Sequence, residues 1–545
     1  MKRAVFTGVL AALSVLGFTQ KPAPAGIARP KLVVGIVVDQ MRWDFLYRYY
    51  DRYEANGGFK RLVNQGFTCE NTFIPYAPTI TACGHACVYT GSVPAINGIT
   101  GNGWWDRAEG RSIYCVEDKS VQTVGATGSA GEMSPRNLLA TTITDELRLA
   151  TNFRSKTIGV AIKDRGAILP AGHAANGAFW YDGKSGKWIS STYYGKELPS
   201  WVNAFNDKKL PDQYFEKGWN TLYPINTYVQ STADQKAYES RPLGSSAAGF
   251  PYELKRFIGN NYGAISSTPY GNTFTLEMAK AALQGEQLGK GNFTDFLAVS
   301  LSSPDYIGHA FGPNSIETED GYLRLDKDLG AFLNHLDQQV GKGQYLVFLT
   351  ADHGVAHVPG FMNENKLPGG TFDDGAWMKK MNADLKEKFG QDKLILSTYN
   401  YQVHLNYSLM DSADIDEEDV VEMITLALRK EDAVANVFET ADISETTLNA
   451  TVKERITNGI FYPRSGDIQF VLKPGYIDGG KTGTTHGLWN PYDAHIPLVF
   501  YGWNVKPGKT NRETYMNDIA PTIAAMLRIQ MPSGSVGKVI TEIGF

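Results

Sequence analysis

At 545 residues, with 43% hydrophobic and 20% charged side chains, the chain is long enough for one large domain with insertions or for two to three ordinary ones. A formal net charge of -5 with no long Lys/Arg run gives no electrostatic footprint for nucleic acid or an anionic membrane, so any anion the protein handles must be attracted locally. Four cysteines are too few for a disulfide framework at this length.

In chain order, Lys2 and Arg3, the apolar run 4–18 and the small residues Ala23-Pro24-Ala25 have the layout of a signal peptide over residues 1–25. An exported, periplasmic protein is therefore expected. The apolar run is short for a membrane span, and no later segment reads as transmembrane. Residues 31–38 read as a buried strand running into Asp39. Pro78-Thr79-Ile80-Thr81 ends an extended segment and opens a helix that runs to Thr90-Gly91. Cys83 and Cys87, four apart on that helix, share a face but are poorly placed to bridge, whereas pairing of Cys69 with Cys115 stays open. Helical periodicity follows at 142–149 and 322–336. Further buried-strand runs lie at 296–301, leading towards Asp305, at 345–350, leading into Asp352, and at 496–501.

The alternation predicts an α/β domain over residues 26–545, whose mainly parallel central sheet is flanked by helices and delivers polar groups from the carboxyl ends of its strands. Two stretches break the pattern. Residues 171–264, rich in Gly, Pro, Trp, Tyr and Asn, read as an irregular insertion. Residues 367–475 read as an inserted α+β subdomain, with helical segments at 374–389 and 417–430 and a strand-like piece at 401–407. No motif sets an oligomeric state.

Four places carry metal chemistry. Asp305 and His309, four apart in Asp305-Tyr306-Ile307-Gly308-His309, would form a two-tooth clamp on one helix face, although such a pair also fits a surface contact or a cap. Asp352 and His353 in Thr350-Ala351-Asp352-His353-Gly354 are more specific, since a tight turn at a strand end can aim both at one point. Asp39 and His486 complete the set, though singly they read as a helix cap and a loop histidine. Three carboxylates and three imidazoles are ligands that suit zinc, enough for two ions with coordination left for a substrate oxygen. Two divalent ions, three carboxylates and one alkoxide leave such a site near neutral, so extra cations would help to hold a phosphate dianion. Thr81, at a helix N-terminus, reads either as a cap or as a nucleophile near exposed N–H groups and the positive end of the dipole.

These motifs resemble those of the alkaline phosphatase superfamily, which includes the nucleotide pyrophosphatase/phosphodiesterases, and within it the PafA-type bacterial alkaline phosphatases that cleave monoesters. The likeness runs from Lys31 almost to the C-terminus, through Asp39-Gln40-Met41-Arg42-Trp43, Thr90-Gly91-Ser92-Val93-Pro94, Lys163-Asp164-Arg165 and Phe311-Gly312-Pro313-Asn314-Ser315. It implies two zinc ions, one held by Asp305, His309 and His486, the other by Asp39, Asp352, His353 and the oxygen of Thr81. It also implies the register at the nucleophile. The family's nucleophile lies four before the histidine matching His85 and 21 before an asparagine on the phosphate, which selects Thr81 over Thr79 and gives Asn102 that role.

Lys163 and Arg165, two apart, would face one side of an extended segment. The family positions they match contact the transferred phosphoryl oxygens, and two cations favour a monoester, which exposes one more charged oxygen than a diester. A solvated pair flanking Asp164 is the bland alternative. The resemblance thus implies a phosphate monoester hydrolase that works on small phosphate monoesters through a phospho-Thr81 intermediate. A phosphodiesterase with the same metals and a non-catalytic phosphate- or glycan-binding protein are the rivals. A sulfatase is disfavoured, because Cys83 is followed by Gly84-His85-Ala86-Cys87 and the C/S-x-P-x-R motif is absent.

Overall fold

The apolar runs assemble into one ten-stranded sheet in the computed structural model, which describes residues 28–244 and 249–544. The leader expected over residues 1–25 lies outside the described residues. In chain order the strands are β1 (Leu32–Val38), β2 (Phe67–Phe73), β3 (Thr123–Val124), β4 (Thr157–Ala161), β5 (Gly177–Asp182), β6 (Lys187–Ser191), β7 (Asp295–Leu301), β8 (Tyr345–Thr350), β9 (His495–Gly502) and β10 (Gly508–Tyr515). Their order across the sheet is β10-β2-β9-β8-β1-β7-β4-β5-β6-β3. The run from β8 to β5 is parallel throughout. β9 is antiparallel to both of its neighbours, as is β6.

Every residue of β1, β7 and β8 is buried, because helices cover both faces of the sheet, and this is why these strands read as unbroken apolar runs rather than as alternation. One covering helix is α1 (Thr81–Thr90), buried over its whole length and closed by Gly91 at φ 63°. It lies so close to the sheet that a Cβ at Gly35 of β1 would stand 2.4 Å from the Tyr89 hydroxyl. The other helices that bear on the site are α2 (Asp164–Ala171), α3 (Ser303–Phe311) and α4 (Ile316–Leu336).

α4 starts earlier than the apolar periodicity suggests. Ser315 caps it by accepting from the Thr318 N–H, and its first turns bury acidic residues that break the apolar pattern. Those acids are partnered: Tyr252 donates to Glu317 at 2.6 Å, Trp219 to Asp320 at 2.8 Å, and Arg52 pairs with Glu319. The stretch 171–264 also differs from expectation, since it supplies β5 and β6 to the central sheet before breaking into short helices.

Residues 374–472 build a second, four-stranded sheet with strands Ile395–Ser397, Gln402–Leu405, Ile468–Leu472 and Val434–Glu439 in that order. The helices Asp374–Phe389 and Glu417–Arg429 lie where periodicity put them and share a separate apolar cluster that includes Leu385, Ile424 and Phe470. All four cysteines are buried free thiols, so Cys69 and Cys115 are not bridged. Among the described residues no helix is long and apolar enough to cross a membrane.

The topology decides where polar groups gather. The carboxyl ends of the adjacent parallel strands β8, β1, β7 and β4 lead into Asp352 and His353, Asp39, Asp305, and Lys163 respectively. Because β9 runs the other way, the loop that precedes it, carrying His486, reaches the same edge.

Candidate active site

At that edge the six candidate ligands come together. Ligand atoms of Asp39, Asp352 and His353 all lie within 4.8 Å of one another, and so do those of Asp305, His353 and His486. The family pattern groups His309 with Asp305 and His486; here His309 Nε2 is 3.1 Å from Asp305 Oδ1, and His486 Nε2 is 3.6 Å from the same oxygen. His353 thus stands between the two groups, and His309 joins through Asp305. The His309 side chain is 36% exposed while the other five are buried, which places it at the mouth.

The three imidazoles are held in one tautomer by the main chain. Nδ1 of His353 lies 2.9 Å from the Gly354 carbonyl, Nδ1 of His486 2.7 Å from that of Thr79, and Nδ1 of His309 2.8 Å from that of Thr484. A carbonyl only accepts, so each Nδ1 carries a proton, and a ring that is neutral presents its Nε2 lone pair to the cluster. The rings of His353 and His486 stack with centroids 3.5 Å apart. Burial holds both below the usual imidazole range, and each would repel a charged neighbour. Burial works to lower His309 as well, but the Asp305 charge together with the hydrogen bonds to Asp305 and the Thr484 carbonyl raises it.

The carboxylates are crowded. Burial, with the Asp39 charge added, pushes Asp352 well above its ordinary range. Burial raises Asp39 to about 6, opposed by Lys163 and reinforced by Asp305. Burial also works to raise Asp305, but the charges of His309 and Lys163 overcome it and hold this carboxyl well below the usual range. Asp39 Oδ1 and Asp352 Oδ2 are buried without a hydrogen-bond donor. Buried carboxylate oxygens without donors beside unprotonated imidazole nitrogens are what a pair of divalent cations would satisfy.

Thr81 is the first residue of α1, and the preceding Ile80 is the N-cap, with no side-chain cap bond. The Thr81 hydroxyl is therefore not spent on the helix end. It lies 3.2 Å from His353 Nε2, to which it donates, and 3.5 Å from Lys163 Nζ. Thr79 is directed elsewhere, its hydroxyl donating to the Leu488 carbonyl at 2.8 Å. His85, four residues on, lies with Nδ1 2.9 Å from the Thr81 carbonyl and Nε2 2.8 Å from Ser300 Oγ, so it supports the turn rather than joining the ligands. Asn102 Oδ1 accepts the Ala82 N–H at 3.1 Å, leaving its Nδ2 hydrogens for another acceptor.

The two cations make different contacts at the same edge, and the charges of both act on Asp39. Lys163 Nζ sits 2.5 Å from Asp305 Oδ2 and 2.7 Å from Asp39 Oδ2, bridging the two groups. Arg165 bonds to Tyr114, donating from Nη1 to the hydroxyl at 3.0 Å, while that hydroxyl donates to Asp164 Oδ1 at 2.5 Å. Lys163 is the extended N-cap of α2, and Arg165 is already on the helix, so the two reach the edge from different backbone conformations rather than from one extended segment. Tyr114 and Gln40 are the residues that sequence reasoning missed. Gln40 lies next to Asp39 in Asp39-Gln40-Met41-Arg42-Trp43; nothing local marks Tyr114.

A family model described as type I phosphodiesterase / nucleotide pyrophosphatase matches residues 33–493. Alkaline phosphatase PhoV of Synechococcus elongatus is 55% identical over 531 residues, 95% of this chain and 94% of that protein. A Myroides odoratus protein named calcium-transporting ATPase is 56% identical over 521 residues, 95% of each chain. The crystal structure of wild-type alkaline phosphatase PafA superposes with a TM-score of 0.93 at 53% identity, covering 95% of this chain and 99% of that one. A PafA variant with one threonine changed to serine, and an asparagine, a lysine and an arginine changed to alanine, gives a TM-score of 0.92 at 52% identity over the same shares. With the family model spanning most of its length and these relatives nearly all of it, the chain belongs to the type I phosphodiesterase/nucleotide pyrophosphatase family and has the α/β fold of the alkaline phosphatase superfamily.

Proposed function

We propose that this chain is an exported alkaline phosphatase that hydrolyses small phosphate monoesters through a phospho-Thr81 intermediate with two zinc ions. The observation that carries the reading is the convergence of the Thr81 hydroxyl, the Lys163 ammonium and two Asp/His ligand groups at one sheet edge. Asp39, Asp352 and His353 would hold one ion beside Thr81, and Asp305, His309 and His486 the other. When bound, the ions supply Lewis-acid stabilisation of charge on the attacking and departing oxygens.

The rest falls to the chain. Thr81 Oγ1 attacks phosphorus, the bond to the leaving alcohol breaks, and the alcohol departs with a proton. Water then attacks phospho-Thr81, releasing phosphate and restoring the hydroxyl, so one difficult displacement becomes two easier ones. The Asn102 amide nitrogen, held in place by the Ala82 N–H on Asn102 Oδ1, meets the phosphoryl oxygens at the positive end of α1, and Lys163 and Arg165 neutralise them. The four positions changed in the solved PafA variant support these roles: its threonine and asparagine stand 21 apart and its lysine and arginine two apart, the spacings of Thr81 to Asn102 and Lys163 to Arg165. The name of the Myroides relative fits the same chemistry, because the terminal phosphoryl group of ATP, like a monoester, is singly substituted. The export reading rests on residues 2–25 of the sequence.

A phosphodiesterase is the second reading, favoured by the family description. Matched aryl phosphate monoester, diester and sulfate substrates separate the two, assayed before and after chelation. Monoester hydrolysis should lead, vanish with a chelator and return with zinc; a diester preference would sink the monoesterase reading. Tyr114→Phe should release Arg165 and lower monoester kcat/KM about tenfold, consistent with loss of one hydrogen bond to a charged group. Steady-state kinetics on monoester and diester read this out, with the diester changing less.

A further inference from the structure

We propose that Gln40 is a positioning residue that ties the two ligand groups together, its main-chain N–H fixing Asp352 and its side-chain amide fixing Asp305; the proposal rests on the two-metal reading above. Gln40 follows Asp39 at the end of β1 and is buried. Its φ of 66° lies in the left-handed region, which residues with a long side chain seldom adopt. Gln40 makes two hydrogen bonds, one to each ligand group. The N–H reaches Asp352 Oδ1 at 3.0 Å, and Nε2 reaches Asp305 Oδ1 at 2.7 Å.

On Asp352, Oδ1 also accepts the His353 N–H at 3.0 Å, so this oxygen is doubly occupied and Oδ2 is the one left buried without a donor. One carboxylate is thereby oriented in each ligand group by the same residue. The amide orientation follows from chemistry, because a flipped amide would set Oε1 against an Asp305 oxygen, two acceptors facing each other.

Helix α3 is built around this link. A Cβ at Gly308 would stand 1.9 Å from Gln40 Oε1, so the missing side chain between Asp305 and His309 makes room for the amide. Gly308 is not at positive φ, and alanine is otherwise the better helix residue there. The glycine is thus accounted for by Gln40. Outer partners of this kind commonly control metal affinity by 10–100-fold.

Two variants of the full-length chain break the link from opposite sides. Gln40→Asn keeps an amide and a residue that tolerates left-handed backbone, but its side chain is one methylene too short for Asp305. Gly308→Ala keeps Gln40 and displaces its amide. Zinc affinity of each site, by chelator competition, and the absorption spectrum of the cobalt(II)-loaded protein are measured beside thermal unfolding of the metal-free chain. Both variants should weaken one of two zinc sites about 10–100-fold, alter the cobalt bands of that site and leave the other site unchanged. Wild-type affinities and spectra in both variants would overturn the proposal, as would equal weakening of both sites, which marks a general loss of structure. A wild-type chain that takes up fewer than two ions overturns the two-metal reading and the proposal with it.

Discussion

Thr81→Ala should lower phosphate monoester turnover by about 10³-fold or more, whereas Thr81→Ser should stay within about tenfold of wild type. Both residues are small and both fit the first turn of α1, so the difference isolates the hydroxyl. A Thr81 that merely ended a helix would predict something else: a stability loss of about 1 kcal/mol and an active enzyme. The cap role does not fit the geometry, because Ile80 occupies the cap position and the Thr81 hydroxyl goes to His353 at 3.2 Å. Acid quenching of wild-type protein during turnover should yield a phosphorylated peptide containing Thr81, and the Ala variant none. Full activity in Thr81→Ala would remove the covalent pathway and leave direct attack by water as the remaining route. Unfolding curves on both variants check that the loss is chemical.

The sheet edge was legible because its strands are buried on both faces, and an unbroken apolar run ending in Asp39 or in Asp352-His353 is the direct imprint of that burial. The clamp of Asp305 and His309 was legible as a helix spacing. His486 was not readable alone, since its place depends on β9 running against its neighbours, a pairing choice made by strands distant in the chain. The strands β5 and β6 were hidden inside a Gly- and Trp-rich stretch, where a short hairpin has too few residues to show a period. Gln40 was hidden for a different reason. Its left-handed backbone and the room left by Gly308 exist only once β1 and α3 lie side by side.

Lys163 should contribute more to a monoester preference than Arg165, and their variants should show it. Charge-assisted hydrogen bonds are worth about 1.5–3 kcal/mol each, roughly 10–100-fold in rate when a group meets the transferred phosphoryl oxygens. Lys163→Ala should therefore cost about 100-fold in monoester kcat/KM, and Arg165→Ala about tenfold, because part of its bonding is already committed to Tyr114. The double variant should lose about 10³-fold on a monoester but no more than about tenfold on the matched diester, which lacks the extra charged oxygen. Lys163 has a second attachment to consider, since its ammonium lies against Asp39 and Asp305. Zinc content measured on each variant separates the two roles. If monoester and diester activities fall together as zinc is lost, Lys163 serves the ligands; if only the monoester falls while both ions stay bound, it serves the substrate, and the preference for monoesters resides in that ammonium.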